Sequence, residues 1–107
     1  MNIDTLELHD ALIHGANIDY AAKQVALSLE IYETPSSKTR TRITMIFDEV
    51  DSISHVADFN NLEKNRFAGN INSWIAGSTQ SPTYIYLNDG MIAIASREPP
   101  RISLVTS

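Results

Sequence analysis

The fold class of this chain is decided by residues 84–95, which read Tyr84-Ile85-Tyr86-Leu87-Asn88-Asp89-Gly90-Met91-Ile92-Ala93-Ile94-Ala95. On both sides of the centre, β-branched or aromatic side chains recur at alternate positions, as a strand requires. Asp89-Gly90 supplies residues that readily take the positive φ angles of a tight turn. Two such runs around a short turn predict an antiparallel β-hairpin.

A second hairpin is predicted upstream. The run Val25–Ile31 alternates large apolar residues with smaller or polar ones, a period of two that indicates a half-buried strand. A helix over Tyr20–Glu30 is the alternative, because several apolar residues there also stand near helical spacing. The alternation continues through β-branched Ile31 and favours the strand. After a polar turn at Thr34–Lys38, alternating apolar residues return at Ile43, Met45 and Phe47.

The remaining segments predict further short strands and one helix. Val50–Val56 continues the preceding strand after a kink at Asp48-Glu49, where a β-bulge is expected. A short helix is predicted over Asp58–Phe67, with Asp58 as its N-cap and Gly69 at its end. Two more strands are predicted at Asn70–Ala76 and, beyond Pro99-Pro100, at Ile102–Leu104.

These elements predict a mainly β protein, a β-rich α+β fold with about 6–8 short strands and one short helix near 58–67. An antiparallel sandwich, a half-barrel and a bent meander all fit this pattern. The chain has 107 residues, which predicts a single domain, 1–107. A chain of this size buries enough apolar surface to fold without disulfides or a structural metal.

Composition argues against several classes of protein. There is no cysteine, which excludes disulfides, thiolate metal sites and cysteine nucleophiles. The net charge of -5 disfavours nucleic acid as a partner, because phosphate binding needs a basic patch and only Lys38, Arg40 and Arg42 approach one. No run of about 18 apolar residues predicts a membrane span. The start at Met1 shows no secretory signal, so we expect a cytoplasmic protein.

One motif places a histidine beside an acid, at His9-Asp10. As a catalytic pair, the carboxylate would orient the imidazole. Neighbouring residues on a strand point to opposite faces, however, so we expect both to satisfy backbone groups at the entrance of a strand. His14 stands at an odd separation from His9, so the two diverge as well. The sequence therefore predicts no catalytic residue here and no metal site.

Other catalytic and ligand-binding patterns are missing. The acidic cluster of Asp48, Glu49, Asp51, His55 and Asp58 lacks the spacing and the glycine of a calcium loop, and a solvated edge is expected. No nucleophile elbow and no phosphate-binding glycine loop is present. We therefore predict no cofactor.

Aromatic residues provide a candidate binding surface. Tyr84 and Tyr86 share one face of a predicted strand, and Tyr32 lies on the less apolar face of its own strand. With Trp74 added, these four side chains could form an exposed aromatic platform, a common feature of protein interfaces. The alternative is that a second packed layer of a sandwich uses the same residues.

Four short segments occur together in this chain: Leu8-His9-Asp10-Ala11-x-Ile13, Ile18-Asp19, the run Val25–Ile31 and Gly69-Asn70-Ile71. The combination resembles small bacterial β-rich families, some of them immunity proteins of polymorphic toxin systems and others uncharacterised. In those families the His-Asp-Ala stretch opens the first strand. The resemblance implies a stoichiometric binding protein rather than an enzyme, and it carries over no catalytic residue.

Three functions are compatible with these observations. The leading hypothesis is a non-catalytic protein-interaction module of the bacterial immunity-protein type, and self-association through exposed sheet edges is also expected. The alternative is a small-molecule-binding β domain, which requires a deep apolar pocket. An enzyme comes third, since it requires His9, His14 or His55 to meet a carboxylate.

Overall fold

The structure, a computed structural model, describes residues 3–105, with Asp4 described by its backbone alone. Eight strands and one α-helix follow a short 3₁₀ helix at Ile3–Thr5. In chain order the elements are β1 (Leu12–Asp19), β2 (Gln24–Ile31), β3 (Thr41–Phe47), β4 (Val50–Val56), α1 (Phe59–Lys64), β5 (Ile71–Ile75), β6 (Thr83–Leu87), β7 (Gly90–Ser96) and β8 (Arg101–Leu104).

The strands form two four-stranded antiparallel sheets, which confirms the mainly β prediction. Sheet A has the order β1-β2-β3-β8, and sheet B has the order β4-β7-β6-β5. Both predicted hairpins are present, as β2-β3 in sheet A and β6-β7 in sheet B. Each sheet is open and has two edges. Of the three arrangements that the sequence left open, the structure is therefore the sandwich.

One core lies between the sheets, because alternate residues of each strand turn inward. In β2, Val25, Leu27, Leu29 and Ile31 are all buried, which confirms the strand over the helix. Residues of both sheets contribute to this core, together with two from the segment before β1. Its buried members are Leu8, Ala11, Val25, Leu27, Leu29, Ile31, Ile43, Met45, Phe47, Ile71, Ile85, Leu87, Ile92 and Ile94.

The chain passes from sheet A to sheet B at the predicted kink. Asp48 and Glu49 separate β3 from β4, and Glu49 takes a positive φ of 54°. A register shift between Val50 and Ser52 marks a bulge in the pairing of β4 with β7. β3 and β4 belong to different sheets, so the expectation that Val50–Val56 continues the preceding strand is wrong, although an almost continuous alternating sequence encodes both.

Two local predictions need correction. The helix is shorter than predicted, because α1 ends at Lys64 and Asn65 caps it; Gly69 lies beyond it. In the β6-β7 turn the positive φ of 56° belongs to Asp89, whereas Gly90 is the first residue of β7. Gly90 is required for space, since a Cβ there would lie 2.4 Å from the Val56 carbonyl oxygen.

Candidate functional site

The β6-β7 hairpin presents two different faces. Thr83, Ile85 and Leu87 of β6 are buried, and so are Ile92 and Ile94 of β7. Because side chains alternate along a strand, the residues between them point away from the core. Those outward residues are Tyr84, Tyr86, Met91, Ala93 and Ala95.

Cross-strand pairing extends this outward set over all four strands of sheet B. Met91 lies opposite Tyr86 on one side and Val56 on the other, and Tyr86 lies opposite Ser73. The next row aligns Ser54, Ala93, Tyr84 and Ile75 in the same way. We call this surface the uncharged face; its residues are Ser52, Ser54, Val56, Ser73, Ile75, Tyr84, Tyr86, Met91, Ala93 and Ala95.

The centre of the uncharged face is aromatic. The rings of Tyr84 and Tyr86 stack with centroids 6.2 Å apart and planes 11° from parallel. At its two edges, Val56 is 63% exposed and Ile75 is 57% exposed. Aromatic residues that expose a flat surface beside apolar side chains are typical of the centre of protein interfaces, where charged residues are depleted.

One end of the uncharged face is acidic. Asp58 follows β4 closely, and Asp89 lies in the turn between β6 and β7. Asn61 joins them: its backbone N–H donates to Asp58 at 3.0 Å, and its side-chain amide donates to Asp89 at 2.7 Å. The opposite end is formed by the loop 76–82, which contains no ionisable residue. Beside this loop, exposed Asp51 lines a cleft together with Ser81 and Ala95, and its carboxylate lies 3.5 Å from Arg97. Carboxylates therefore lie at both ends of the uncharged face, and the one at the loop end faces an arginine.

The structure brings together two of the four predicted aromatic residues. Trp74 points inward, against the core, and its indole N–H donates to the Leu6 carbonyl oxygen at 3.0 Å. Tyr32 follows β2 in sheet A, where the guanidinium of Arg40 lies 4.8 Å from its ring centroid. The expected platform of four aromatics is therefore not formed, and Tyr84 and Tyr86 remain its centre.

Sequence reasoning missed the other apolar members of the uncharged face. Met91 and Ala93 alternate with buried isoleucines, so the period of two already placed them outward. Val56 and Ile75 were harder to find, because both are the last residues of edge strands that bulges shift by one position. A bulge changes which residues share a face, and the sequence indicated one near Asp48-Glu49 but none in β5.

His9 and Asp10 lie in a turn before β1 rather than on the strand. Asp10 has a positive φ of 63°, which turns its carboxylate back to 3.5 Å from His9 Nε2. The expectation that the two diverge is therefore wrong. His9 does satisfy a backbone group, since His9 Nδ1–H donates to the Asn72 carbonyl oxygen at 2.9 Å. This hydrogen bond, and next the Asp10 charge, raise the pKa of His9.

The residues around His9 and Asp10 hold two segments of the chain together. Arg40 donates to the carbonyl oxygens of Asp10, Phe67 and Ala68 at 3.0–3.3 Å, and so ties the turn to the segment after α1. A cleft of about 600 Å³ lies beside His9 and Asp10, lined also by Glu7, Tyr32 and Glu33. His9 and Asp10 are both exposed, at 65% and 55%. An ion pair so open to water is weak.

The histidines do not converge. His14 Nε2 contacts Glu30 Oε2 across β1 and β2, and both side chains are partly exposed. His9 and His14 line separate clefts. His55 lies at the exposed end of β4. Each candidate acid-base pair therefore stands alone on the surface.

The carboxylates of the predicted acidic cluster contact different partners in the structure. Asp48 accepts a hydrogen bond from Arg101 at 2.7 Å and one from Gln24 at 2.9 Å, and these lower the pKa of Asp48. Asp51 lies 3.5 Å from Arg97, and Asp58 caps α1. Among residues 3–105, no group of three or more histidine or carboxylate side chains could hold a metal ion.

A second surface cleft of about 450 Å³ lies between the two sheets, on the side of β1 and β4. Its apolar lining comes from Ile18, Val25, Val50 and Ile53. The interior of the sandwich is filled by side chains that are 0–4% exposed, apart from this opening at its margin. Within the described part of the chain, no helix is long and apolar enough to cross a membrane.

Comparison with known proteins adds no identification. No family model matches the chain, and neither a curated protein nor a solved structure matches it. The uncharged face is therefore the strongest indication of function in this molecule.

Proposed function

We propose that this protein is a non-catalytic binding module of the immunity-protein type, which attaches to one protein partner through the uncharged face of sheet B. The observation that carries the proposal is the composition of that face. Ten outward side chains on four strands are apolar, aromatic or hydroxyl-bearing, and none is charged. Exposed apolar patches of this kind are typical of contact surfaces.

The partner is a protein with an apolar centre to its contact surface and basic side chains at one rim. The apolar centre matches the stacked Tyr84 and Tyr86. The basic rim matches Asp58 and Asp89, and the net charge of -5 attracts such a partner over a longer range. The same charge disfavours nucleic acid. The lack of cysteine suits a reducing cytoplasm, where we place the complex.

The small-molecule alternative has less support. The core between the sheets is filled, and the apolar cleft of about 450 Å³ lies at the surface. An enzyme requires a histidine and a carboxylate inside one enclosed site. The two such pairs, at His9 and at His14, lie on exposed segments.

The test compares two baits that differ from the wild type by one aspartate. Tyr86→Asp puts a charge in the centre of the uncharged face, and Thr44→Asp puts the same charge in the middle of the outer face of sheet A. We expect the protein encoded beside this one to bind the wild type and the Thr44→Asp variant with one-to-one stoichiometry. Tyr86→Asp should lower its affinity by about 30-fold or more, as for an interface hot spot.

Titration calorimetry with purified proteins measures this difference, and circular dichroism confirms that both variants are folded. If the neighbouring protein does not bind, quantitative capture from native lysate with the three baits identifies a partner by the same criterion. A partner is a protein held by the wild type and Thr44→Asp but lost with Tyr86→Asp. Identical protein sets on all three baits would show that the uncharged face binds nothing.

A further inference from the structure

Strand β4 has a self-complementary sequence. It reads Val50-Asp51-Ser52-Ile53-Ser54-His55-Val56, with the same order of residue classes from either end about Ile53. The two positions that break this symmetry, Asp51 and His55, are an acid and a base. A strand with this pattern can pair with a copy of itself in antiparallel orientation.

β4 is also an edge strand. In sheet B it pairs with β7 on one side, and no further strand of the sheet follows on the other. The exposed residues of its second half are Ser54, His55 and Val56. Edges of this kind present a row of backbone donors and acceptors that another strand can use.

The ladder shows which backbone groups are free to pair. Leu87 and Gly90 close a two-residue turn, so in β7 the residues Met91, Ala93 and Ala95 direct their backbone groups toward β4. Their partners are Val56, Ser54 and Ser52. The backbone N–H and C=O groups of Ile53 and His55, which alternate with these, therefore point outward from the sheet.

Pairing centred on Ile53 matches chemistry at each position. Ile53 lies opposite Ile53 of the second copy, where the two residues exchange backbone hydrogen bonds. Ser52 lies opposite Ser54 of the second copy. Asp51, which also lies 3.5 Å from Arg97 of its own chain, lies opposite His55 of the second copy, where its carboxylate can accept a hydrogen bond from the imidazole.

β4 is only partly protected as an edge strand, by Asp51 and by the bulge between Val50 and Ser52. It has no lysine and no proline, whereas the edge strand β8 begins at Arg101 directly after Pro99-Pro100. The start of the β4 edge is already occupied, because the Val50 N–H donates to the Lys23 carbonyl oxygen at 2.9 Å. The neighbouring edge strand β1 is exposed at residues 14–17, and a Cβ built on Gly15 meets no atom within 4 Å.

We propose that two copies of this chain associate through β4, in an antiparallel pairing centred on Ile53 that joins their B sheets into one of eight strands. This interface uses the edge of sheet B and leaves the uncharged face open. The joined sheet would carry the two uncharged faces side by side. The proposal does not depend on the identity or existence of another protein partner.

Cross-linking tests the register, because the chain has no cysteine of its own. Ser52→Cys and Ser54→Cys are prepared as separate single variants. In the proposed register these positions face each other as a pair without backbone hydrogen bonds, with Cα atoms about 4.5 Å apart, which suits a disulfide. We expect oxidation of an equimolar mixture to give a covalent dimer between the two variants. Each variant alone should cross-link much less, as should Ser28→Cys in sheet A.

Charge exchange tests the interface without new covalent bonds. Asp51→Lys and His55→Asp each place unfavourable pairs at two symmetric positions, and we expect each to raise the dimer dissociation constant by roughly tenfold. The double variant again places an acid opposite a base, with their positions reversed, and should recover most of the wild-type affinity. Sedimentation equilibrium measures these constants. A wild-type monomer of 11.9 kDa at the highest soluble concentration, or equal cross-linking of all three cysteine variants, would overturn the proposal.

Discussion

The two sheets have similar inner faces and opposite outer faces. Inside, both place valine or larger apolar side chains in one core. Outside, sheet A pairs Glu30 with Arg42 across β2 and β3, and its Arg101 reaches Asp48 at 2.7 Å. The outer face of sheet B carries no charge among its ten described residues. The inner faces are both apolar because both are buried in one core. The outer faces differ, because a surface in water favours charged residues and a binding surface favours apolar ones.

The largest predicted effect tests whether the inner faces are equivalent. Phe47→Ala in sheet A should lower the free energy of unfolding by about 3–5 kcal/mol, and Ile85→Ala in sheet B by about 2–5 kcal/mol. Both side chains are fully buried in the same core cluster, so each loss leaves a cavity. Urea unfolding followed by circular dichroism measures both values. Separate transitions for the two sheets would contradict a single shared core.

A matched pair of glycine substitutions should have opposite effects in the two sheets. Gly90→Ala should destabilise by about 1–3 kcal/mol, because the new Cβ would lie 2.4 Å from the Val56 carbonyl oxygen and force β7 away from β4. Gly15→Ala should stabilise by about 0.4–1 kcal/mol, since nothing lies within 4 Å and the unfolded chain loses freedom. Thermal unfolding compares them. A destabilised Gly15→Ala variant would show that a Cβ at position 15 meets a steric obstacle in β1.

The smallest predicted effect concerns the charges on the outer side of sheet A. Arg101 and then Gln24 lower the pKa of Asp48, so its folded pKa lies below its unfolded value. Its contribution to stability is therefore complete above the unfolded pKa of about 3.8 and is lost as pH falls through the lower, folded value. Asp48→Asn should make unfolding less sensitive to acid in this range.

Acid titration of stability at low ionic strength measures this change. High salt should shrink the difference between Asp48→Asn and the wild type, because the pair lies near water and is screened. A wild-type and a variant profile of equal slope in acid would contradict the role of Asp48. No comparable acid effect is predicted for the uncharged face, which has no carboxylate of its own.

Much of the fold follows from the sequence. The alternation of Val25–Ile31 and the hairpin around Asp89 are local patterns, and the two predicted hairpins, β2-β3 and β6-β7, both form. The prediction failed where a residue can serve either of two purposes. Gly69 is a reasonable helix terminator, yet its φ of 138° and the Asp10 backbone 2.6 Å from an added Cβ show that it permits a close approach of two segments.

The candidate site was found in part. Tyr84 and Tyr86 lie on one strand, so their common face follows from a period of two. Trp74 and Tyr32 were added on the assumption that their faces align, and alignment between strands depends on pairing and bulges. A register shift between Ile71 and Ser73 turns Trp74 toward the core, where its indole N–H reaches Leu6.

By itself, the sequence determined the strands, the hairpins, the absence of cysteine chemistry and an acidic balance, because each depends on composition or on residues close in the chain. Tertiary structure alone decided which strands share a sheet and which outward residues become neighbours. The alternating run from β3 into β4 is divided between two sheets at Glu49. This division makes β4 an edge and places Val56 beside Met91 and Tyr86, since side-chain neighbours in a sheet are set by long-range pairing.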